Sequence, residues 1–230
     1  MSQSWTERFQ ALEIHSQDVR LQRFYGAGCV GGDTEIAATP FVALDFETTG
    51  LDARQDAIVS IGLVPFSLQR VFLRDACEWL VKPEQPLQEE SVVVHGITHS
   101  EVRSAPDLDR IVAPLLDAMA GKVVVVHHQR IEREFLNQAL LERLNEGIEF
   151  PLIDTMELEQ RALRARQGLV GRLLKRPLGS LRLGDCRQRY SLPFYSPHHA
   201  LTDAIATAEL LLAQVAYQYR PDTPVSELWC

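Results

Sequence analysis

The sequence has no long apolar run and few cysteines, and both absences exclude classes of protein. No stretch approaches the roughly 20 apolar residues that a membrane-spanning helix needs, and the opening MSQSWTERFQ lacks the basic and apolar regions of a secretory signal. The four cysteines, Cys29, Cys77, Cys186 and Cys230, lack the close pairing that zinc sites and redox motifs require. We therefore expect free thiols, no membrane association and a cytoplasmic location.

The chain also lacks an excess of basic residues, since its 230 residues carry a formal net charge of -8. Proteins that grip duplex nucleic acid by neutralising many phosphates are usually basic, so a long duplex is a poor candidate ligand. A short end of a nucleic acid strand could still be held through cations, because metal ions bound by carboxylates change the local sign of the charge.

The length predicts one substantial domain with additions at its ends. Residues 1–39 carry two short helical patterns and too few apolar residues for a core of their own. We interpret them as a helical extension packed on the domain, with a possible role in contacting a protein partner. The domain itself spans 40–218, and 219–230 form a short C-terminal tail.

From Pro40 onward three strand patterns follow each other closely, FVALDFE, AIVSIGLVPF and VFLRDACEWLVKP, which predicts an antiparallel meander. Helical patterns then alternate with the apolar strands KVVVV and PLID, and the last helix spans about 200–217. This order predicts an α/β fold with a mixed sheet covered by helices.

The first strand carries two carboxylates that point the same way. Side chains two residues apart share one face of a strand, so Asp45 and Glu47 project together while Phe46 faces the core. The acids follow the apolar run FVAL, and charges in such a setting are normally paired or bound to metal. The alternative interpretation is that Asp45 and Glu47 are two solvated acids at the end of a strand.

Other acids and a histidine recur far along the chain. Glu132 and Glu134 lie in the helix after VVVVHH, and Asp203 lies in a helix of small residues that permits close packing. Five residues of a helix turn through about 500°, so His198 and Asp203 would point in different directions if both lay in the helix. Their side chains converge only if His198 precedes the helix. Pro197 favours this arrangement; an exposed loop histidine is the alternative.

Together, the DFETTGL motif on the first strand, an acid after VVVVHH and the H-x4-D arrangement of His198 and Asp203 resemble the histidine-type DEDD exonuclease superfamily. This branch includes the proofreading subunit of bacterial DNA polymerase III, ribonuclease T and oligoribonuclease. The resemblance covers about residues 40–217. It implies a ribonuclease H-like fold, with a mixed five-stranded sheet and helices on both faces.

The resemblance also implies roles for individual residues. Asp45, Glu47, Glu132 and Asp203 would hold two Mg²⁺ or Mn²⁺ ions, and His198 would deprotonate the attacking water, a task that suits an imidazole. HGIT at 95–98 resembles the loop that contacts the terminal nucleotide. The implied substrate-binding residues are Thr48, Thr49, Gly50, His95, Gly96, Ile97 and His127.

The implied activity is metal-dependent 3′-5′ hydrolysis of single-stranded 3′ ends to nucleoside monophosphates, with DNA slightly favoured over RNA. The sequence departs from the family pattern at two positions, because Glu132 replaces the usual aspartate and His128 the usual asparagine. We expect an altered metal preference with activity retained. The alternative is a weak or inactive module that keeps the fold and binds nucleic acid or protein.

A basic segment lies between the second and third motifs. Residues 161–190 hold nine basic residues against a single acid, Asp185. We interpret this segment as a patch that guides the phosphates of a short strand toward the metals. A solvated helical face is the alternative.

Overall fold

The predicted three-strand meander forms one half of the sheet. In the computed structural model, which describes residues 4–83, 96–173 and 177–230, β1 (Phe41–Thr48) pairs antiparallel with β2 (Ile58–Ser67). The edge of β2 away from β1 pairs with both β3 (Arg70–Val71) and β4 (Cys77–Leu80). A short 3₁₀ helix separates these two pieces of the third predicted strand.

Two parallel strands complete the sheet. β5 (Val123–Val126) lies beside β1, and β6 (Leu152–Asp154) lies beside β5. All four valines of β5 are buried, as expected of a parallel strand covered on both faces. The described residues therefore form a sheet of six strands in the order β3-β2-β1-β5-β6, with β4 pairing along the same edge of β2 as β3. The predicted α/β fold with a mixed sheet is confirmed, and the described residues form six strands where five were predicted.

Helices cover both faces of this sheet. In chain order they are α1 (Trp5–His15), α2 (Val19–Gly26), α3 (His99–Ser104), α4 (Asp109–Met119), α5 (Arg130–Leu144), α6 (Thr155–Leu173, broken at Gly168), α7 (Leu183–Arg189) and α8 (Ala200–Gln218). One core cluster joins the sheet to α1, α2, α4 and α5, and a second joins the other face to α8. No helix in the described ranges is long and apolar enough to cross a membrane.

The ends of the chain add to these cores. Phe9, Phe24 and Tyr25 of the two N-terminal helices are buried in the first cluster. Val225 and Leu228, which lie in the segment predicted as a tail, are buried in the second cluster. The two N-terminal helices therefore pack on the sheet, while the division into an extension, a domain and a tail and the contact with a protein partner stay predictions.

Candidate metal centre

The face of β1 that carries Asp45 and Glu47 is the face that α8 covers. Phe41 and Ala43 pack in the same cluster as the apolar side chains of α8, and the alternation of the strand places Asp45 and Glu47 on that face. Phe46 is buried in the opposite cluster, as the sequence predicted.

A glycine lets α8 approach the sheet at this point. Gly62 of β2 lies directly opposite Asp45 in the antiparallel register. A Cβ atom on Gly62 would overlap the backbone of Ala200 and Leu201, the first residues of α8. Because Asp203 lies in the first turn of this helix, the close approach brings its carboxylate to β1. Ligand atoms of Asp45, Glu47 and Asp203 all lie within 4.8 Å of one another.

Burial opposes the ionisation of all three carboxylates, and neighbouring carboxylates add to this effect for Asp45 and Glu47. Burial, and then the charges of Glu132, Asp203 and Glu47, hold the pKa of Asp45 well above its usual range. Burial and the charge of Asp203 raise the pKa of Glu47 to about 7. Burial also raises the pKa of Asp203, against a hydrogen bond from the backbone N–H of His198. A divalent cation among these oxygens would relieve the repulsion, so the residues fit a metal site.

Glu132 lies beside this cluster in the first turn of α5. It is only 2% exposed, and within the described part of the chain its Oε2 has no hydrogen-bond partner. Burial raises its pKa well above the usual range, and the charges of Asp154 and Glu47 add to this effect. Its oxygens are outside the group of three, but an unpartnered buried oxygen fits a ligand of a second cation. Glu134 instead pairs with Arg130 at the surface.

Asp154 fixes the turn from which α5 starts. This aspartate is 1% exposed and accepts hydrogen bonds from the backbone N–H groups of His128, Gln129 and Met156, at 3.0, 2.9 and 2.9 Å. His128 adopts a φ of 88°, which a non-glycine residue rarely takes. The signal in the sequence that could have identified Asp154 is an acid directly after the apolar run PLI.

His198 precedes α8 and reaches the cluster through its backbone. The residue has a φ of 69°, and its N–H donates to Oδ2 of Asp203 at 2.8 Å. His199 occupies the N-cap position and α8 begins at Ala200, so His198 lies outside the helix as predicted. The imidazole of His198 is exposed to solvent. A role of this imidazole in catalysis stays a prediction.

The threonines that follow Glu47 are engaged within their own loop. The hydroxyl of Thr48 donates to the carbonyl oxygen of Gly50 at 2.6 Å. The hydroxyl of Thr49 donates to Asp56 at 3.1 Å and accepts from the N–H of Ala57 at 3.0 Å. These bonds shape the turn beside the cluster, while the predicted substrate contacts of Thr48, Thr49 and Gly50 stay predictions.

The remaining predicted substrate residues differ in position. Both ring nitrogens of His127 are bonded to protein atoms, Nδ1 to the hydroxyl of Thr155 and Nε2 to the carbonyl of Leu181, each at 2.8 Å. This ring therefore ties the segment around Leu181 to the end of β5, and it offers no free nitrogen to a substrate. Gly96 is exposed with a φ of 71°, and Ile97 packs near Val59 and Val102. His95 lies outside the described residues.

The basic segment is used partly inside the protein. Arg187 is 3% exposed and pairs with Glu209 at 2.8 Å, and Arg189 pairs with buried Glu159 at 2.8 Å. Arg187 therefore does not belong to a surface patch as predicted, whereas Arg189 is exposed despite its ion pair with Glu159. The side chains at 172, 175 and 176 lie outside the described residues, and the rest of the patch stays a prediction.

The chain is similar in sequence to proteins with DNA polymerase III names. It is 31% identical over 188 residues to a DNA polymerase III subunit epsilon-like protein of Rhodobacter capsulatus, covering 79% of this chain and 25% of that protein. It is 28% identical over 180 residues to DNA polymerase III PolC-type of Thermotoga maritima, covering 78% of this chain and 12% of the relative. The chain thus spans a quarter or less of the length of these relatives.

Solved structures show the same fold. Exonuclease X in complex with 5′ overhanging duplex DNA matches with a TM-score of 0.60 and 20% identity, over 82% of this chain and 98% of that one. The nuclease domain of 3′hExo, a DEDDh family member bound to rAMP, matches with a TM-score of 0.61 and 16% identity, over 78% and 92%. The model of the RNase T family, described as exonuclease, matches residues 42–211. The protein therefore belongs to this exonuclease family, as its resemblance to histidine-type DEDD exonucleases predicted.

Proposed function

We propose that this protein is a metal-dependent 3′-5′ exonuclease that releases nucleoside monophosphates from single-stranded 3′ ends. The observation that carries the proposal is the group of Asp45, Glu47 and Asp203, whose oxygens converge within 4.8 Å on a strand end. Burial and neighbouring charges raise the pKa of Asp45 and Glu47, so these acids are costly to ionise without a cation.

The donor set favours Mg²⁺ or Mn²⁺, since hard cations prefer carboxylate oxygens. Asp45, Glu47 and Asp203 would hold one ion, and Glu132 with Asp45 a second. Such ions supply positive charge that stabilises the attacking and leaving oxygens of a phosphodiester displacement.

His198 supplies the proton acceptor in this proposal. Its imidazole is solvent-exposed and linked through its own backbone to Asp203, so it lies at the mouth of the cluster. There the ring takes a proton from the attacking water while that oxygen bonds to phosphorus. The bond to the 3′ oxygen of the preceding nucleotide breaks, which releases a nucleoside 5′-monophosphate.

DNA is the favoured substrate because relatives that the chain matches in sequence carry DNA polymerase III names. A second candidate is an inactive binding module, since Glu132 replaces the family's aspartate and its oxygens stay outside the group of three. Measurement of nucleotide release distinguishes the exonuclease from the inactive binding module.

The test is a panel of 5′-labelled and 3′-labelled single-stranded DNA and RNA oligomers with Mg²⁺ or Mn²⁺. We expect stepwise shortening from the 3′ end, no activity in Asp45→Asn, and turnover lowered roughly 10²–10⁴-fold in His198→Ala. Glu134→Gln, a change at the surface ion pair with Arg130, is the matched control. Release of label from the 5′ end, or equal activity of Asp45→Asn, would refute the proposal.

A further inference from the structure

The phenyl ring of Phe194 is the most exposed large apolar side chain in the described part of the molecule. It is 85% exposed, on the segment between α7 and α8 that also carries His198. Single exposed apolar side chains are common, so exposure alone indicates nothing about function. The contacts of the two residues beside Phe194 give the evidence for a function.

Both residues beside Phe194 are fixed to α8 by one buried arginine. Arg187 donates to the carbonyl oxygen of Pro193 at 3.0 Å, and its guanidinium lies 4.5 Å from the ring centre of Tyr195. The hydroxyl of Tyr195 in turn donates to Glu209 at 3.0 Å, and Arg187 bonds the same carboxylate at 2.8 Å. The segment is therefore held in place on each side of Phe194, and the ring points outward from a fixed backbone.

This fixed segment lies close to the metal centre. Glu209 is six residues beyond Asp203 on α8, which is about 9 Å along the helix axis. Phe194 is four residues before His198, so at most about 14 Å of chain separates them. If the 3′ end of a single nucleic acid strand occupies the metal centre, the next nucleotides of that strand lie within this distance.

We propose that Phe194 is a stacking residue for a nucleobase of the substrate strand, upstream of the scissile phosphate. The inference rests on the proposed function, because it takes the ligand of that site to be a single strand. Stacking suits this chain, whose net charge of -8 gives little general attraction for phosphates. Every base has a π face, so such a contact adds affinity with little preference for sequence.

The test measures binding without turnover. Fluorescein-labelled single-stranded DNA with cleavage-resistant phosphorothioate linkages at its 3′ end is titrated with protein in Mg²⁺ and followed by anisotropy. We expect Phe194→Ala to weaken binding roughly 5- to 150-fold, the range found for loss of one base–aromatic stack, and Phe194→Tyr to bind like the wild type. Ile14→Ala, at a residue 79% exposed on α1 across the sheet, is the control and should change nothing.

A series of oligomers, each lacking one base, locates the contact. One abasic position should weaken binding by the wild type and have no effect on Phe194→Ala, which is the signature of a pairwise interaction. Equal binding by Phe194→Ala and the wild type, or a loss that persists with every abasic oligomer, would overturn the inference.

The outcomes also separate this inference from the proposed function. Nucleotide release from unmodified oligomers with no effect of Phe194→Ala on binding removes the stacking role alone. Binding that depends on Phe194 without any nucleotide release removes the nuclease function alone. Failure of the wild type to bind single strands removes both.

Discussion

Replacing Glu47 with glutamine should stabilise the metal-free protein at neutral and alkaline pH. Burial, with the charge of Asp203, raises the pKa of Glu47 from 4.5 to about 7. Below pH 4.5 the carboxyl is protonated in both the folded and the unfolded chain, so the folded state bears no penalty. As the pH rises to about 7, the unfolded chain ionises first, and the free energy of unfolding falls.

The size of this effect follows from the two pKa values. At roughly 1.4 kcal/mol per pKa unit, the difference between about 7 and 4.5 corresponds to about 3 kcal/mol. That is a large part of the 5–15 kcal/mol typical of a domain. Glutamine keeps the shape of the side chain and removes its charge, so Glu47→Gln should escape this loss.

Urea denaturation in the presence of a chelator, at several pH values between about 5 and 8, measures the effect. The free energies of unfolding of the wild type and Glu47→Gln should diverge by up to about 3 kcal/mol as the pH rises. Glu134→Gln, which removes an exposed charge, should follow the wild type within about 0.5 kcal/mol. Adding Mg²⁺ at the highest pH should stabilise the wild type more than Glu47→Gln. A gap between the two proteins that does not change with pH would refute this reasoning.

Two further predictions concern the residues around this group. Glu132→Asp should retain or raise exonuclease activity. Glu132→Ala should lower the activity at limiting Mn²⁺ by at least the roughly 10–100-fold that is typical of losing a residue that supports a metal ligand. Undiminished activity of Glu132→Ala would exclude Glu132 as a ligand. Gly62→Ala should push α8 away from the sheet, which should lower the free energy of unfolding, measured by thermal unfolding, by about 1–3 kcal/mol. Because Asp203 moves with α8, turnover should also fall roughly 10²-fold. Gly184→Ala, where a Cβ meets no atom within 4 Å, is the control, and equal behaviour of the two variants would contradict the role of Gly62.

The parts of the fold that depend on local pattern could be predicted from the sequence. The alternation in FVALDFE predicted that Asp45 and Glu47 share a face and that Phe46 packs in the core, and both hold in the structure. Pro197 predicted that His198 lies outside the last helix. In each case the decisive geometry spans only a few residues, so the period of the strand or helix determines it.

The parts that depend on long-range register could not be predicted in this way. That Gly62 lies opposite Asp45, and so admits α8, follows from pairing between two strands. The partners of Arg187 on α8 depend equally on how helices pack, so composition alone placed this arginine in a surface patch. Asp154 gains its role only because the end of β6 lies beside the start of α5.

The net charge of the chain and the chemistry of its site lead to the same view of binding. An acidic surface repels a phosphate backbone, and the three converging carboxylates would repel it most strongly. The cluster becomes a place for a phosphate only when cations reverse its charge. Contacts that do not depend on basic residues would add affinity for the rest of the strand, and the proposed stacking on Phe194, whose two neighbours are held by the buried Arg187, is such a contact. If Phe194 stacks on a base as proposed, we expect a single-stranded end to be preferred over a duplex, because only unpaired bases present their faces for stacking.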